Sequence, residues 1–456
     1  MIAITRDLAR RFRAIAKKCL AGRPRGPAPA VVCQVRADTL SLWTRTESAG
    51  LLYAAPFQGK DATLVVSMSL FESIEGPGTE AVAVSVDRKL QGTAKWLDRG
   101  VPQSHTFVAL MPGKQHAIPD RPEIMTPVPD EFRTALHECG RTAARDAGRF
   151  VLNHLQVRGK SGQVIATDSK RALVWGGFVF PFGGDVLIPA IPAFGCRELA
   201  SEEGISVGHS PTDLVVACGP WSVHLPVHTT GKYPDVSQIL PKPGVGTMAR
   251  LEEAEAAELL QVLPSLPGAK EENHPVTLDL DGNLTVRARD EATGLVRELS
   301  TRTAITGEPS VAAVDRTAIQ RALTLGCRTI RIQPVTRTLA FEGPNRIFLI
   351  AALDNDAIVP AGRAKPVPSD SFPRSIPVRT PENGHASNGR HHPPPESEPE
   401  ILDPLAEAEA LRVLVVEVGS RLGRLIAALR STRKEKKVLA NVWAGLKQLN
   451  LAGGSS

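Results

Sequence analysis

The chain contains an internal repeat of roughly 123 residues, and this repeat limits the possible folds more than any other feature. Three amphipathic helical patterns begin near Asp7, Asp130 and Glu252, which lie 123 and 122 positions apart. Each is followed by runs in which apolar and polar residues alternate, as they do in strands with one buried face. Similarity at a fixed period indicates copies of one structural unit placed in series.

A second helix is expected later in each copy, after a short β-rich run. We place its start at Ser67, Pro189 and Asp315, because Ser and Asp are common N-caps and Pro is common in a first helical turn. The dipeptide Asp281-Gly282 indicates a hairpin turn in the third copy. The predicted fold class is α+β, with two helices packed on antiparallel sheets in each of three tandem copies.

The repeat divides the chain at positions that can be stated in advance. The copies are expected at residues 1–122, 123–243 and 244–356. A Pro-rich segment at 357–403 predicts a disordered linker, because it lacks the apolar residues that a core requires. Residues 404–450 regain a heptad-like apolar spacing and predict a C-terminal helical segment, either one helix or a hairpin. Its apolar face would pack either on this chain or on a partner.

The sequence contains no P-loop, metal set or nucleophile–base pair that would indicate an enzyme, and its composition argues against a membrane protein. No apolar run is long enough to span a bilayer, and the six cysteines lack zinc-ligand spacing, so we expect buried thiols and no metal or cofactor. His224 and His228 lie in an alternating run that predicts a strand. Residues 1–120 carry a net charge of +6 and residues 243–356 a net charge of −4. A polyanion would therefore meet the first copy most strongly.

Four stretches, taken in order, resemble one known family. They are GRFVLNHLQV from Gly148, VIATDSKRAL from Val164, GKYPDVSQILPK from Gly231 and VDRTAIQRAL from Val314. Together they are similar to motifs of the bacterial sliding clamp, the beta subunit of DNA polymerase III. The resemblance covers residues 1–356 and is weakest in the first third. The extension after residue 356 lies outside the family pattern.

The resemblance implies a function that involves no catalysis. Two chains would join head to tail into a homodimeric ring around duplex DNA, without reading sequence. The ring would tether DNA polymerase and confer processivity in replication, and clamp-loader subunits would place it on DNA in the cytoplasm. The residues agree, because Asp168 lacks a matching acid or base and Thr-Asp at a strand end is ordinary turn chemistry. An alternative is a clamp-fold scaffold, or a specialised paralogue, that does not encircle DNA.

The resemblance also implies a pocket that binds partner peptides. It departs from the family pattern, because Ser169 and Lys170 replace a usual Gly-His, Ala172 replaces a usual Leu, and Ala351 stands where Met is common. We therefore expect a wider or shallower pocket. The implied pocket residues are Leu152, Thr167, Ser169, Lys170, Arg171, Ala172, Pro234, Gln238, Ile239, Leu349 and Ala351.

Candidate DNA contacts come from basic residues on the expected helices and from the loop after the first helix. The first helix carries a basic stripe at helical spacing, whereas the corresponding helix of the third copy is acidic, with the sequence LEEAEAAE. The candidates are Arg6, Arg10, Arg13, Lys17, Arg23, Arg25, Arg141, Arg145, Arg197, Arg316 and Arg321. Apolar contacts that close the ring are expected at Phe107 and Leu266.

Overall fold

A computed structural model describes residues 1–19, 29–145, 151–242, 244–333 and 337–362, together with the backbone of Lys365 and Pro366. The expected linker lies almost wholly, and the expected C-terminal helical segment wholly, outside these residues. The same is true of Arg23 and Arg25. Everything that follows concerns the described part of the chain.

The described residues form six helices and twenty-five strands. The helices are α1 (Arg6–Lys18), α2 (Met68–Ile74), α3 (Glu131–Thr142), α4 (Arg197–Ala200), α5 (Glu253–Val262) and α6 (Arg316–Thr324). The strands up to the end of the second expected copy are β1 (Ile2–Thr5), β2 (Ala30–Arg36), β3 (Thr39–Arg45), β4 (Gly50–Pro56), β5 (Ala62–Ser67), β6 (Ala81–Val86), β7 (Gln91–Asp98), β8 (Val101–Val108), β9 (Met125–Val128), β10 (His154–Arg158), β11 (Gln163–Thr167), β12 (Arg171–Trp175), β13 (Asp185–Pro189), β14 (Ile205–His209), β15 (Asp213–Cys218) and β16 (Trp221–Pro226). The remaining strands are β17 (Thr247–Arg250), β18 (Pro275–Asp281), β19 (Asn283–Arg289), β20 (Val296–Thr306), β21 (Ser310–Asp315), β22 (Thr329–Gln333), β23 (Thr338–Gly343), β24 (Arg346–Ala351) and β25 (Lys365–Pro366).

One order of elements occurs three times: a strand, a helix, four strands, a helix and three strands. We call these runs the first module (β1 to β8), the second module (β9 to β16) and the third module (β17 to β24). The α+β class is thereby confirmed, whereas the exact domain boundaries stay a prediction. Ser67 and Asp315 cap α2 and α6 as expected, since each side chain accepts a backbone N–H of the first turn.

The expected start of the second module's second helix is wrong. Pro189 ends β13, and Pro192 then opens a short 3-10 turn before α4 begins at Arg197. Proline is tolerated at strand ends as well as in first helical turns, so its presence could not distinguish the two positions. Only four residues remain for α4.

Strand pairing joins the modules into continuous sheets. One eight-stranded sheet has the order β5-β2-β3-β4-β16-β15-β14-β9, and a larger sheet runs β13-β10-β11-β12-β24-β23-β22-β17-β20-β19-β18-β21. A four-stranded sheet, β1-β6-β7-β8, completes the first module. The two pairs that cross between modules are β4 with β16 and β12 with β24, and both are antiparallel. We call these pairs the first joint and the second joint.

The helices contact one another in a row, in the order α2, α1, α4, α3, α6, α5. Apolar side chains beneath the row supply its core. Phe12 of α1, for example, lies 5.3 Å from the Phe71 ring of α2 and 6.3 Å from that of Trp221. Burying such rings is the main favourable contribution to folding. Within the described residues, α2 and α5 are the two ends of the row.

Arginines hold the row together by donating to helix C-termini. Arg6 donates to the carbonyls of Ile74 and Glu75 at the end of α2, and Arg133 of α3 donates to those of Leu199 and Glu202 at the end of α4. Arg11 of α1 donates to the Glu198 carbonyl. The last carbonyls of a helix lack partners within it and carry partial negative charge, so a guanidinium group is favourable there.

Candidate nucleic-acid and peptide interfaces

The basic stripe on α1 is only partly open to solvent. The Arg6 guanidinium lies 2.8 Å from Asp98 in addition to its contacts with α2, and its side chain is 13% exposed. The Arg13 guanidinium forms ion pairs with Glu72 and Glu75, and lies 2.6 Å from the Glu75 carboxylate. Its side chain is 14% exposed. These two arginines tie α1 to α2. Their positive charge is largely balanced by carboxylates, so we remove both from the expected DNA contacts.

Other basic side chains on the helix row do reach solvent. Arg10 is 47% exposed and bonded only to Asp7, at 2.7 Å, and the hydrogen bond from Arg10 to that carboxylate raises the arginine pKa. Lys17 is exposed at the end of α1, beside an equally exposed Lys18 that was not among the predicted contacts. Arg141, Arg145 and Arg197 of the second module are exposed as well. These residues keep their place as candidate DNA contacts.

Arg316, expected to contact DNA, lies inside the third module. It is 2% exposed and donates to the carbonyls of His274, Leu263, Leu266, Pro267 and Pro275, at 2.6 Å from Leu266. Burial lowers its pKa. Its role is to bind the chain that follows α5 to the start of α6, so the expectation of a DNA contact is corrected.

Arg321 is likewise engaged within the chain, at the α3–α6 junction. It donates to the Glu138 carbonyl at 2.6 Å, to the Arg141 carbonyl at 3.1 Å and to Thr142 Oγ1 at 2.8 Å. Its guanidinium also lies 5.5 Å from the centre of the Phe348 ring. This arginine fastens the third module to the C-terminus of α3 and presents little charge to solvent. It too is removed from the DNA contacts.

The acidic residues of α5 have two different environments. Glu255 completes a capping box at the start of the helix and accepts from the Arg302 amide and from Thr303 Oγ1, at 2.9 and 2.8 Å. Glu253 and Glu258 are exposed. The third module therefore offers exposed negative charge on its first helix, where the first module offers positive charge.

The implied peptide pocket lies at the second joint. Ala172 of β12 pairs with Leu349 of β24, and both are buried in one small hydrophobic cluster with Val236. Tyr233 and Leu240 pack on this cluster from the segment that carries Pro234, Gln238 and Ile239. Residues from three distant parts of the sequence thus meet on one side of the sheet.

Polar contacts hold the two edges of this pocket. Asp168 Oδ1 accepts from the amides of Lys170 and Arg171, and its other oxygen lies 2.8 Å from the Arg171 guanidinium. The turn needs a left-handed conformation at Ser169, where φ is +77°. Asp168 therefore acts as a turn residue, as expected. On the other edge, Arg158 donates to Ser237 Oγ at 2.7 Å and fixes the segment across the sheet.

Five of the implied pocket residues are exposed. Ser169, Lys170, Gln238, Ile239 and Ala351 reach solvent, whereas Thr167 is buried and donates to the Arg171 carbonyl. Leu152 is half-buried. Its carbonyl accepts from the Ala144 amide after α3. The width of the pocket relative to the family pattern stays a prediction.

The two residues expected at a ring interface have different environments. Phe107 of β8 is half-buried, and its ring covers Gly92, where a Cβ atom would lie 2.3 Å from it. Leu266 is 3% exposed and belongs to the chain's own core, so it is unavailable to a second copy. The exposed apolar side chains near β8 are instead Val101, Val108, Leu110 and Met111.

The remaining sequence expectations concern cysteine and histidine. All six cysteines are buried free thiols, and burial raises the pKa of Cys33 to about 12. His224 lies in β16 with its ring 5.1 Å from Trp43, whereas His228 faces His154 at 5.0 Å. The two histidines thus have separate partners. No helix in the described residues combines the length and apolarity needed to cross a membrane.

Comparison with solved structures identifies the fold. No protein-family model and no curated protein sequence matches the chain. The DNA polymerase III subunit beta of Pseudomonas aeruginosa matches with a TM-score of 0.62 at 15% identity, over 77% of this chain and 99% of that one. The subunit of Borrelia burgdorferi, solved in complex with a natural product, matches with a TM-score of 0.60 at 12% identity, over 77% and 97%. The chain described here therefore has the fold of the bacterial sliding clamp.

Proposed function

We propose that this protein is a sliding clamp: two chains close into a ring around duplex DNA and tether a DNA polymerase and other partners during replication. The observation that carries the proposal is the construction of the two joints. Each joins the fourth strand of one module to the last strand of the next. One fourth strand, β20, and one last strand, β8, are then left without such a partner among the described residues.

The two joints have the same strand register. The register of the missing pair, β20 with β8 of a second copy, can therefore be derived from them. A backbone hydrogen bond closes the corresponding hairpin in each module. The acceptor carbonyls belong to Ala49, Arg171 and Leu295 in the first, second and third modules. The residue four positions after the acceptor pairs with the first residue of a last strand in both joints. These pairs are Tyr53 with Trp221 and Trp175 with Arg346.

The equivalent pair in a closed ring would join Leu299 of β20 to Val101 of a second copy. Antiparallel continuation then places Arg297 opposite Gln103. Val101 is 57% exposed, as expected of a residue that a partner would cover. The same operation would bring α5 against α2 of the second copy and continue the helix row. Head-to-tail contacts of this kind form closed rings when the rotation permits.

DNA would be held through its phosphates, at the exposed basic residues of the first and second modules. Such contacts carry no sequence information and leave a ring free to slide. Partner peptides would bind beside Ile239 and Ala351 at the second joint. Tethering raises the effective concentration of polymerase at the primer end without a catalytic step. We place the protein in the cytoplasm, where a clamp loader would open the ring.

A disulfide across the proposed joint tests the ring. Gln103→Cys and Arg297→Cys in one chain should form a covalent dimer on oxidation, whereas either substitution alone should not. Oxidised in the presence of DNA, the double variant should stay on a nicked circular plasmid after a high-salt wash and leave it after linearisation. A monomer, or retention that ignores linearisation, would contradict encirclement.

The peptide site has a separate test. The sliding-clamp resemblance implies partner peptides of the form Gln-Leu-x-Leu-Phe. Ile239→Asp should abolish binding of a labelled peptide containing Gln-Leu-Ser-Leu-Phe, because the charge would lie at the exposed apolar edge of the pocket. The control is Val179→Asp, at a residue that is 73% exposed and lies outside the hydrophobic cluster of the pocket. Fluorescence anisotropy measures both. Equal affinity for the two variants would place the peptide site elsewhere.

A second candidate is a clamp-fold scaffold that binds proteins without encircling DNA. The exposed Glu253 and Glu258 on α5 favour it, because they would repel phosphates if α5 faced the hole. A covalent ring that fails to stay on circular DNA would favour this candidate over the first.

A further inference from the structure

We infer that the chain beyond the third module covers the ring-closing edge of β20 with its own strand and must release that edge before a ring can close. This inference rests on the proposed ring. The segment is β25, which pairs in parallel with β20 through Arg297 with Lys365 and Glu298 with Pro366. Transferring the register of the two joints assigns these same β20 residues to Gln103 and Pro102 of a second copy.

The path to β20 is fixed by contacts along the third module. The Leu353 amide donates to the Ala313 carbonyl of β21 at 2.8 Å. Six residues later the Val359 amide donates at 2.8 Å to Thr277 Oγ1, and Thr277 itself is fully buried. Val359 is 5% exposed. The chain is therefore anchored across the module before it reaches β20.

One strand edge can pair with only one partner at a time, since each backbone N–H and C=O on that side forms a single ladder. Joint pairs in this molecule are antiparallel, whereas β25 is parallel, so the two arrangements cannot coexist at Arg297 and Glu298. Beyond the anchor at Val359, the pairing with β20 in the described part of the chain comprises two residues, Lys365 and Pro366. Such a short pair is weak enough to be displaced by a full strand.

The cover would have a clear use before assembly. An unpaired strand edge invites pairing with any extended chain, and proteins commonly protect such edges with a loop or a short strand. The likeness to the solved clamps covers 99% of the Pseudomonas chain but only 77% of this one. A covered edge would favour the open form and make ring closure depend on release of the segment.

Full-length variants at Lys365 test the inference. Pro366 has no N–H group, so Lys365 supplies the donor of the described pair. Lys365→Pro should remove this donor and strengthen the dimer roughly tenfold relative to the natural chain. Lys365→Ala keeps the amide and should change dimerisation less than about twofold. Sedimentation velocity over a concentration series measures all three proteins.

Hydrogen exchange supplies an independent readout. In dilute protein, the Glu298 amide, which faces away from β19, should exchange faster in Lys365→Pro than in Lys365→Ala. Equal dimerisation of all three proteins would overturn the covering role and leave the ring intact. If all three proteins stay monomeric and the cysteine pair at 103 and 297 does not form a disulfide, the proposed ring is wrong. The proposed competition between β25 and a second copy for β20 is then wrong as well.

Discussion

The first and third modules carry arginines on their helices, and these side chains end in opposite surroundings. Arg10 of α1 extends into solvent beside Asp7, whereas Arg316 of α6 is surrounded by backbone carbonyls. The backbone around each side chain decides the difference, because Arg316 lies among carbonyls of the segment after α5 and of the start of β18, and these carbonyls accept its N–H groups. A count of basic residues therefore overstates the charge that a polyanion would meet.

The largest expected effect is on stability, at Arg316. Arg316→Met should lower the free energy of unfolding by about 3 kcal/mol, because several buried carbonyls lose their donor. The matched Arg10→Met should change it by less than about 0.5 kcal/mol, since that side chain is exposed. Urea titrations followed by circular dichroism measure both. Equal losses of stability in the two variants would show that the buried Arg316 contributes no more to stability than the exposed Arg10.

A smaller loss of stability is expected at Arg321. Arg321→Ala should cost about 2 kcal/mol, because the carbonyls of Glu138 and Arg141 lose a charged donor at the α3–α6 junction. Arg141→Ala removes only an exposed pair with Glu138 and serves as the control. Hydrogen exchange should show faster opening of the α3 C-terminus in the first variant alone. An unchanged exchange pattern would mean that other contacts hold this junction.

Sequence patterns predicted the elements of the fold better than the roles of its charged residues. Caps at Ser67 and Asp315 are local signals, and the structure bears them out. Arg13 and Arg316 look like any helical arginine in the sequence. Their partners lie far away in the chain, near residues 72 and 266, so only the folded arrangement shows that they are internal.

The peptide pocket illustrates the same limit. The resemblance placed Ala172 and Leu349 in one site, and the structure brings them together through β12–β24 pairing. The resemblance gave no indication that Arg158 and Tyr233 hold the segment around Pro234 and Gln238 on the sheet. The order of the six helices in their row could not be predicted from the sequence either.

DNA affinity should change moderately when the exposed charge of the first module is reversed. The double variant Lys17→Glu and Lys18→Glu should weaken binding to a short duplex about tenfold at low salt and flatten the salt dependence, since fewer counterions are released. Glu253→Lys with Glu258→Lys in the third module should strengthen binding if α5 faces the DNA. Anisotropy at several KCl concentrations measures both. No response in either pair would favour the scaffold candidate.

The smallest expected effect separates the two joints by pH. Burial lowers the pKa of His224 in the first joint from 6.5 to about 4, opposed by Asp213 and assisted by Arg45. The unfolded chain binds a proton near pH 6.5 and the folded chain does not, so stability falls as pH drops from 6.5 towards 4. At pH 5.5 the loss should be about 1 kcal/mol. The second joint, between β12 and β24, contains no histidine among its paired residues.

His224→Gln should therefore reduce the loss of stability between pH 6.5 and 5 and leave the profile above pH 7 unchanged. His154→Gln is a demanding control, because burial and the nearby His228 also lower the pKa of His154 to about 4. His154 lies in β10, which is not a strand of either joint. Both variants should flatten the stability profile measured by urea titration. Only His224→Gln should slow exchange at the paired β4 and β16 amides in acid. If both variants act equally there, acid weakens the molecule as a whole, and the first joint has no pH sensitivity of its own.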